Sequence, residues 1–191
     1  MATRLMLVAH APTAATRAGA FPDDEDVLSG EPVGPVAVRS VQVLAGPGRR
    51  CRQTASGLGW AAAVDPGLAD LDAGRWRGRT LDSLLTDDPE GLAAWLTQPS
   101  VTLPGGESLV GLISRVGGAL DGRAWPDGRS VLVVSPLVVR AALVHLLRAP
   151  ASLIFAFDVG PLTSVTVSGH GGRWVLQSML PWRTWGSGAG S

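Results

Sequence analysis

Apolar positions in this chain fall into two alternating patterns: short unbroken runs, and sets spaced three or four residues apart. Arg4 to Ala9 is an apolar run between polar residues and predicts a buried strand. Val41 to Ala45 predicts a second, broken by Gly46-Pro47-Gly48, and Ala61 to Val64 a short third. "SVLVVS" is apolar and β-branched throughout, as in a strand covered on both faces. "SVTVS" and "RWVLQSML" flank "GHGG" and predict a closing hairpin. Between these runs lies helical spacing. "RRCRQTASGL" has helical character, Thr80 caps "TLDSLL", and Asp88-Pro89-Glu90 opens a helix through Trp95. Leu109 to Leu120 and Leu137 to Leu147 are two further helices, the last stopped before Pro150. Thr13 to Pro22 suits a loop or a short helix, and the acidic, Pro/Gly-rich Asp23 to Pro35 an exposed loop.

Strands alternating with helices imply an α/β fold: a three-layer sandwich, its central sheet mainly parallel, with helices on both faces. Ligands of such sheets bind beyond the carboxyl ends of the strands. His10 stands just beyond the first strand and Ser135 ends the most strongly apolar one, so the two share a crevice if those strands are neighbours. The length of 191 residues suits one domain, expected over residues 1–180, with "GSGAGS" ending a flexible tail at 181–191.

Composition narrows the chemistry. Acidic and basic residues balance at 16 each, which leaves no electrostatic footprint for nucleic acid. All 16 basic residues are arginine, and the lack of lysine excludes a pyridoxal Schiff base and a P-loop lysine. The bias toward Ala, Gly and Arg is of the kind GC-rich bacterial genomes impose. Cys51 is the single cysteine, so no internal disulfide forms, and with three scattered histidines it makes no thiolate metal cluster. The N-terminus lacks the layout of a signal peptide, and the apolar stretch Val131 to Leu147 is interrupted by Pro136 and Arg140. A cytoplasmic protein without metal or cofactor is expected, acting on a small molecule and not on nucleic acid or a membrane; a homo-oligomer stays open.

Several segments, taken in order, resemble the histidine phosphatase (phosphoglycerate mutase-like) superfamily. That family's first motif is a strand ending in Arg-His-Gly, whose histidine accepts the phosphoryl group; the chain reads Ala9-His10-Ala11. "GPGRRCRQTA" is similar to the family's phosphate-binding segment and puts its arginine at Arg50. "DLDAGRWRG" resembles the general-acid segment, with Asp70 in the acid's place, and "PGGES" brings Glu107. "VLVVSPLVVRAAL" resembles the strand and helix that carry the second active-site histidine, where Ser135 or Pro136 now stands. The resemblance implies the histidine phosphatase fold and a diverged active site lacking one arginine and one histidine. The stretch between Gly30 and Val41 is too short and Pro-rich for the family's long helix, which would open the sheet edge or make a partner surface.

The resemblance makes His10, Asp70 and Glu107 the candidate catalytic residues. Arg50, Thr16, Arg17 and Ser135 are the substrate-binding candidates, Arg17 being the one local cation able to replace the missing arginine. Each has a plainer alternative. His10 would simply cap a loop, Arg50 would lie on a solvated helix face with Arg49 and Arg52, and Asp70 and Asp72 would be ordinary loop acids. Glu107 would cap a helix, and Ser135 would be a turn residue or pair with His10. His145 reads as a helix or core residue, His170 as an exposed turn residue and Cys51 as a buried thiol. The tryptophans at 76, 95, 125 and 174 read as packing, while Trp182 and Trp185 are placed over a groove or partner. Three functions follow. One is an enzyme repurposed away from phosphoryl transfer, with His10 as acid or base on a small, anionic metabolite. The others are a weakened phosphomonoesterase with His10 as nucleophile, and a non-catalytic binding module.

Overall fold

A computed structural model describes residues 3–21, 23, 25–30 and 33–181. Six strands form one mixed sheet: β1 (Thr3–Ala9), β2 (Gln42–Ala45), β3 (Ala63–Val64), β4 (Gly128–Val134), β5 (Ser164–His170) and β6 (Arg173–Leu180), in the spatial order β3-β2-β4-β1-β5-β6. The β3–β2, β2–β4 and β4–β1 pairings are parallel, while the closing hairpin β5–β6 adds two antiparallel pairings at one edge. This is the three-layer α/β sandwich expected from the alternating pattern.

Period-two alternation places the layers. Leu5, Leu7 and Ala9 of β1, with Leu132 and Val134 of β4, face a large core shared with α5 (Leu109–Asp121) and α6 (Pro136–Leu146). Val8, Val131 and Val133 point the other way, onto Cys51, Ala55 and Leu58 of α2 (Arg49–Gly57) and its C-cap. Both faces of the central strands are therefore dry, which is why β4 tolerates no polar residue between Val131 and Val134.

The remaining helices are α1 (Ala14–Ala18), α3 (Leu81–Asp87) and α4 (Pro89–Thr97). Thr80 and Asp88 cap the last two through backbone N–H groups of Ser83 and Gly91, as their positions predict. The third strand is shorter than the apolar run suggested, and its two residues are exposed. Short 3-10 turns at Pro66–Leu68, Gly74–Trp76 and Ala151–Ala156 lie where the pattern shows only loop.

Residues 33–40 contain no helix, in line with their prolines. They do not leave the layer open, however. Val33, Val36 and Val38 pack on the smaller core as a strap, pinned by the Trp60 indole N–H to the Val36 carbonyl (2.8 Å) and by Val36 N–H to the Leu58 carbonyl (3.1 Å). Among the described residues no helix is long and apolar enough to cross a membrane. The placement of Trp182 and Trp185, and of all but the first residue of the tail, lies outside the described residues.

Candidate active site

β1 and β4 are hydrogen-bonded neighbours with Ala9 opposite Val134, so the next residues, His10 and Ser135, leave the sheet side by side. His10 N–H donates to the Val134 carbonyl (2.8 Å), fixing where the turn begins. The imidazole is 1% exposed. Its Nδ1 lies 2.7 Å from the Ala11 carbonyl oxygen, which only accepts, so Nδ1 carries the proton and Nε2 the lone pair. Burial pushes its pKa down from 6.5 to about 4, the Ala11 hydrogen bond opposes this, Arg50 depresses it further, and Asp70 and Asp26 raise it. The ring is neutral at pH 7.

Thr54 holds this turn from the opposite layer. Its hydroxyl accepts from Ala11 N–H (2.9 Å) and donates to the Arg50 carbonyl (2.8 Å), joining the His10 turn to the first turn of α2. The Gln-Thr-Ala signature pointed to this helix, but sequence reasoning assigned it only to Arg50; the threonine positions the histidine's loop.

Arg50 is 1% exposed, which removes the solvated-face alternative. Its Nη2 donates to Asp70 Oδ2 (2.7 Å) and its Nη1 to the Asp23 carbonyl. Asp70 Oδ1 also accepts from Ser135 Oγ (2.6 Å) and from Leu71 N–H (2.8 Å). Ser135 in turn caps α6 through Val138 N–H (3.2 Å). Asp70 is thus the acid facing the histidine, while Asp72 is exposed and paired with Arg77 (3.1 Å). Arg50, Asp70 and Ser135 form one buried chain of charge-assisted hydrogen bonds.

Glu107 occupies a different place. Both its carboxylate oxygens bond Arg115 (3.1 and 2.9 Å), whose guanidinium also donates to the Gly67, Ala69 and Asp70 carbonyls. The helix-capping role open to Glu107 belongs to Ser108, whose hydroxyl accepts from Gly111 N–H (3.0 Å). Two glycines let this loop approach the Asp70 segment: a Cβ on Gly106 would lie 2.2 Å from the Asp72 carbonyl, and one on Gly74 2.4 Å from that of Pro104. Glu107 lines an outer charged groove of about 460 Å³ with Arg50, Asp70, Asp72, Arg77 and Arg115.

His10 lines a separate chamber of about 180 Å³, together with Thr16, Asp70, Ser135 and Arg140 and an apolar wall that includes Phe21 and Trp95. Asp70 and Leu71 border both spaces and form the partition between them. The wall is rigid: Phe21 meets Trp76 and Trp95, and Trp95 meets Phe155, edge-to-face at 5.2–5.4 Å between ring centroids. Thr16 closes a reciprocal cap with Thr13 at the start of α1. Arg17 is exposed, donates to the Ser29 carbonyl (2.9 Å) and lines neither space.

The guanidinium that does line the chamber is Arg140, which sequence reasoning passed over as a binding residue. Its Nε donates to the Phe157 carbonyl (2.9 Å) and its Nη2 to that of Val159 (3.1 Å). The available signal was an arginine inside the otherwise apolar "PLVVRAALV". Cys51 is buried, His145 pairs with Asp121 (3.0 Å), and His170 is exposed. Trp76 and Trp95 are buried and Trp125 and Trp174 half-buried, all four packed in or against the large core.

The comparisons with known proteins agree with this fold. Mycobacterial glucosyl-3-phosphoglycerate phosphatase superposes with a TM-score of 0.79 at 24% identity, covering 93% of this chain and 98% of that one. A putative alpha-ribazole-5'-P phosphatase from Escherichia coli K-12 gives 0.82 at 18% identity, covering 95% and 98%. In sequence, a bifunctional protein of Mycobacterium tuberculosis is 35% identical over 109 residues, 54% of this chain and 30% of that protein. Phosphoserine phosphatase 1 of Hydrogenobacter thermophilus is 33% identical over 95 residues, 47% and 44%. The chain thus spans less than half the length of these curated relatives. With the family profile matching residues 30–180 and the fold shared almost end to end, the chain belongs to the histidine phosphatase superfamily (branch 1).

Proposed function

We propose that this chain is an enzyme on the histidine phosphatase scaffold in which His10 moves a proton on a small molecule, and that phosphoryl transfer is not its efficient reaction. The observation that carries this reading is the buried Arg50–Asp70–Ser135 chain beside a neutral His10. A phosphoryl dianion requires several cationic donors converging on it. Here Ala9 stands in place of one arginine, Ser135 or Pro136 in place of a histidine, and Arg50 already faces a carboxylate at 2.7 Å. Each missing donor costs on the order of 10²–10³ in rate, without strict additivity.

In this reading Nε2 accepts a proton from the substrate, or from a water molecule beside it, and later returns it to the leaving group. The Ala11 carbonyl and the Asp70 carboxylate stabilise the imidazolium formed in between. A pKa of about 4 makes the resting ring a weak base, and a bound negative charge raises it toward neutrality. Base strength therefore grows when a singly charged substrate is in place. A second reading, a weakened phosphomonoesterase, is favoured by the Nδ1–H tautomer, which leaves Nε2 free for nucleophilic attack, and by the phosphatase names among the relatives.

p-Nitrophenyl phosphate and p-nitrophenyl butyrate, assayed side by side with wild type and His10→Ala, separate the readings. The proposal expects His10-dependent release of nitrophenol from the acyl ester and only marginal release from the phosphate. Brisk phosphate hydrolysis abolished by His10→Ala overturns it in favour of the second reading. If His10→Ala changes neither reaction, the enzyme reading fails and a binding module stands.

A further inference from the structure

We infer that the His10 chamber and the hollow next to it take an amphipathic monoanion, an alkyl or aryl carboxylate, with its charge on Arg140. The inference rests on the same chamber as the catalytic reading and adds the chemical class of its ligand. A vestibule of about 280 Å³ adjoins the chamber and shares Thr16, Phe21, Trp95 and Pro136 with it. Its remaining lining includes Ala20, Leu81 and Pro161, and no charged side chain contributes. Aromatic and aliphatic walls of this kind reward an apolar body and specify little else.

Charge enters at one point. Arg140 uses Nε and Nη2 on the Phe157 and Val159 carbonyls, which fixes the guanidinium plane. Its Nη1 donors have no hydrogen-bond partner among the described residues, and no carboxylate lies in ion-pair contact with it. Burial lowers its pKa and the Asp158 charge, acting only through space, opposes this, while a guanidinium stays charged in proteins. Arg50, by contrast, already faces Asp70. One guanidinium with no carboxylate bonded to it suits one negative charge. The Asp70 carboxylate lines the same chamber and repels a dianion more strongly than a monoanion.

Isothermal titration with 4-phenylbutyrate, its uncharged analogue 4-phenylbutanol and phenyl phosphate tests this without turnover. Wild type should bind the carboxylate more tightly than the alcohol and phenyl phosphate most weakly. Arg140→Gln should weaken the carboxylate about 10- to 100-fold, the range of a charge-assisted hydrogen bond, and change the alcohol less than about 2-fold. Because Arg140 also ties two carbonyls, a second variant is needed. Leu81 is 40% exposed at the first position of α3, where an acid suits the helix dipole, so Leu81→Asp should fold. That change should weaken the carboxylate about threefold more than the alcohol. Equal losses for both probes in both variants, or phenyl phosphate as the tightest ligand of wild type, overturn the inference. Arg140-dependent binding in a chain without His10-dependent turnover upholds it while rejecting the catalytic reading.

Discussion

Acidification should destabilise this protein through His10, by an amount that can be worked out. The ring is 1% exposed and its folded pKa is about 4, against 6.5 for a solvated histidine. Between those values the unfolded chain binds a proton that the folded chain does not, so stability falls as pH falls. The contribution is intact above pH 6.5, declines from there, and levels off below about 4. The loss amounts to about 2.5 kcal/mol at pH 4.5 and about 3 kcal/mol at pH 4, at 1.36 kcal/mol per pKa unit. His10→Gln removes the titrating group while keeping an N–H for the Ala11 carbonyl. Urea denaturation followed by tryptophan fluorescence, at several pH values from 7 to 4.5, measures both proteins. Carboxylates common to the two cancel in the difference. The wild type should lose about 2.5 kcal/mol more than His10→Gln over that range. Parallel curves would show that the ring titrates as if in water, and would refute both its burial and its neutral role.

Three other outcomes follow from the same contacts. Asp70→Asn leaves the 1%-exposed Arg50 guanidinium without its counter-charge and should cost about 3–5 kcal/mol in urea unfolding. Ser135→His puts an imidazole beside His10 and should raise p-nitrophenyl phosphate turnover on the order of 10²-fold over wild type, the worth of one cationic donor; no rise would mean that the missing histidine is not what limits phosphoryl transfer. Gly106→Ala drives a Cβ to 2.2 Å from the Asp72 carbonyl, a backbone atom that cannot rotate away, and should lower stability by about 1–3 kcal/mol, read as a drop in Tm.

The Arg50–Asp70–Ser135 chain explains how a buried cation is held beside His10. An arginine buried this deeply needs a partner, and the Asp70 carboxylate together with the Asp23 carbonyl supplies it. Ser135 then serves two structures at once, capping α6 and donating to Asp70. An imidazolium in its place would face the same carboxylate, whereas a serine adds no charge. The outer groove follows the same rule, with Arg115 paired to Glu107 and Arg77 to Asp72.

What the sequence by itself determined depends on neighbours along the chain. Unbroken apolar runs marked β1 and β4, and helical spacing marked α5 and α6. Thr80 and Asp88 announced their helices because a cap bonds N–H groups within three residues of itself. The apolar runs placed His10 and Ser135 at strand ends, and the β1–β4 pairing made those ends adjacent. Only the tertiary structure decided the electrostatics. Asp70 reaches Arg50 across 20 residues and Ser135 across 65, Glu107 is claimed by Arg115, and Arg140, not Arg17, lines the chamber. Periodicity tells which side of an element is apolar, but not which charged group lies opposite. Burial and pairing set a charge's free energy through groups far away in sequence, so the pocket's polarity could be read only once the sheet had brought them together.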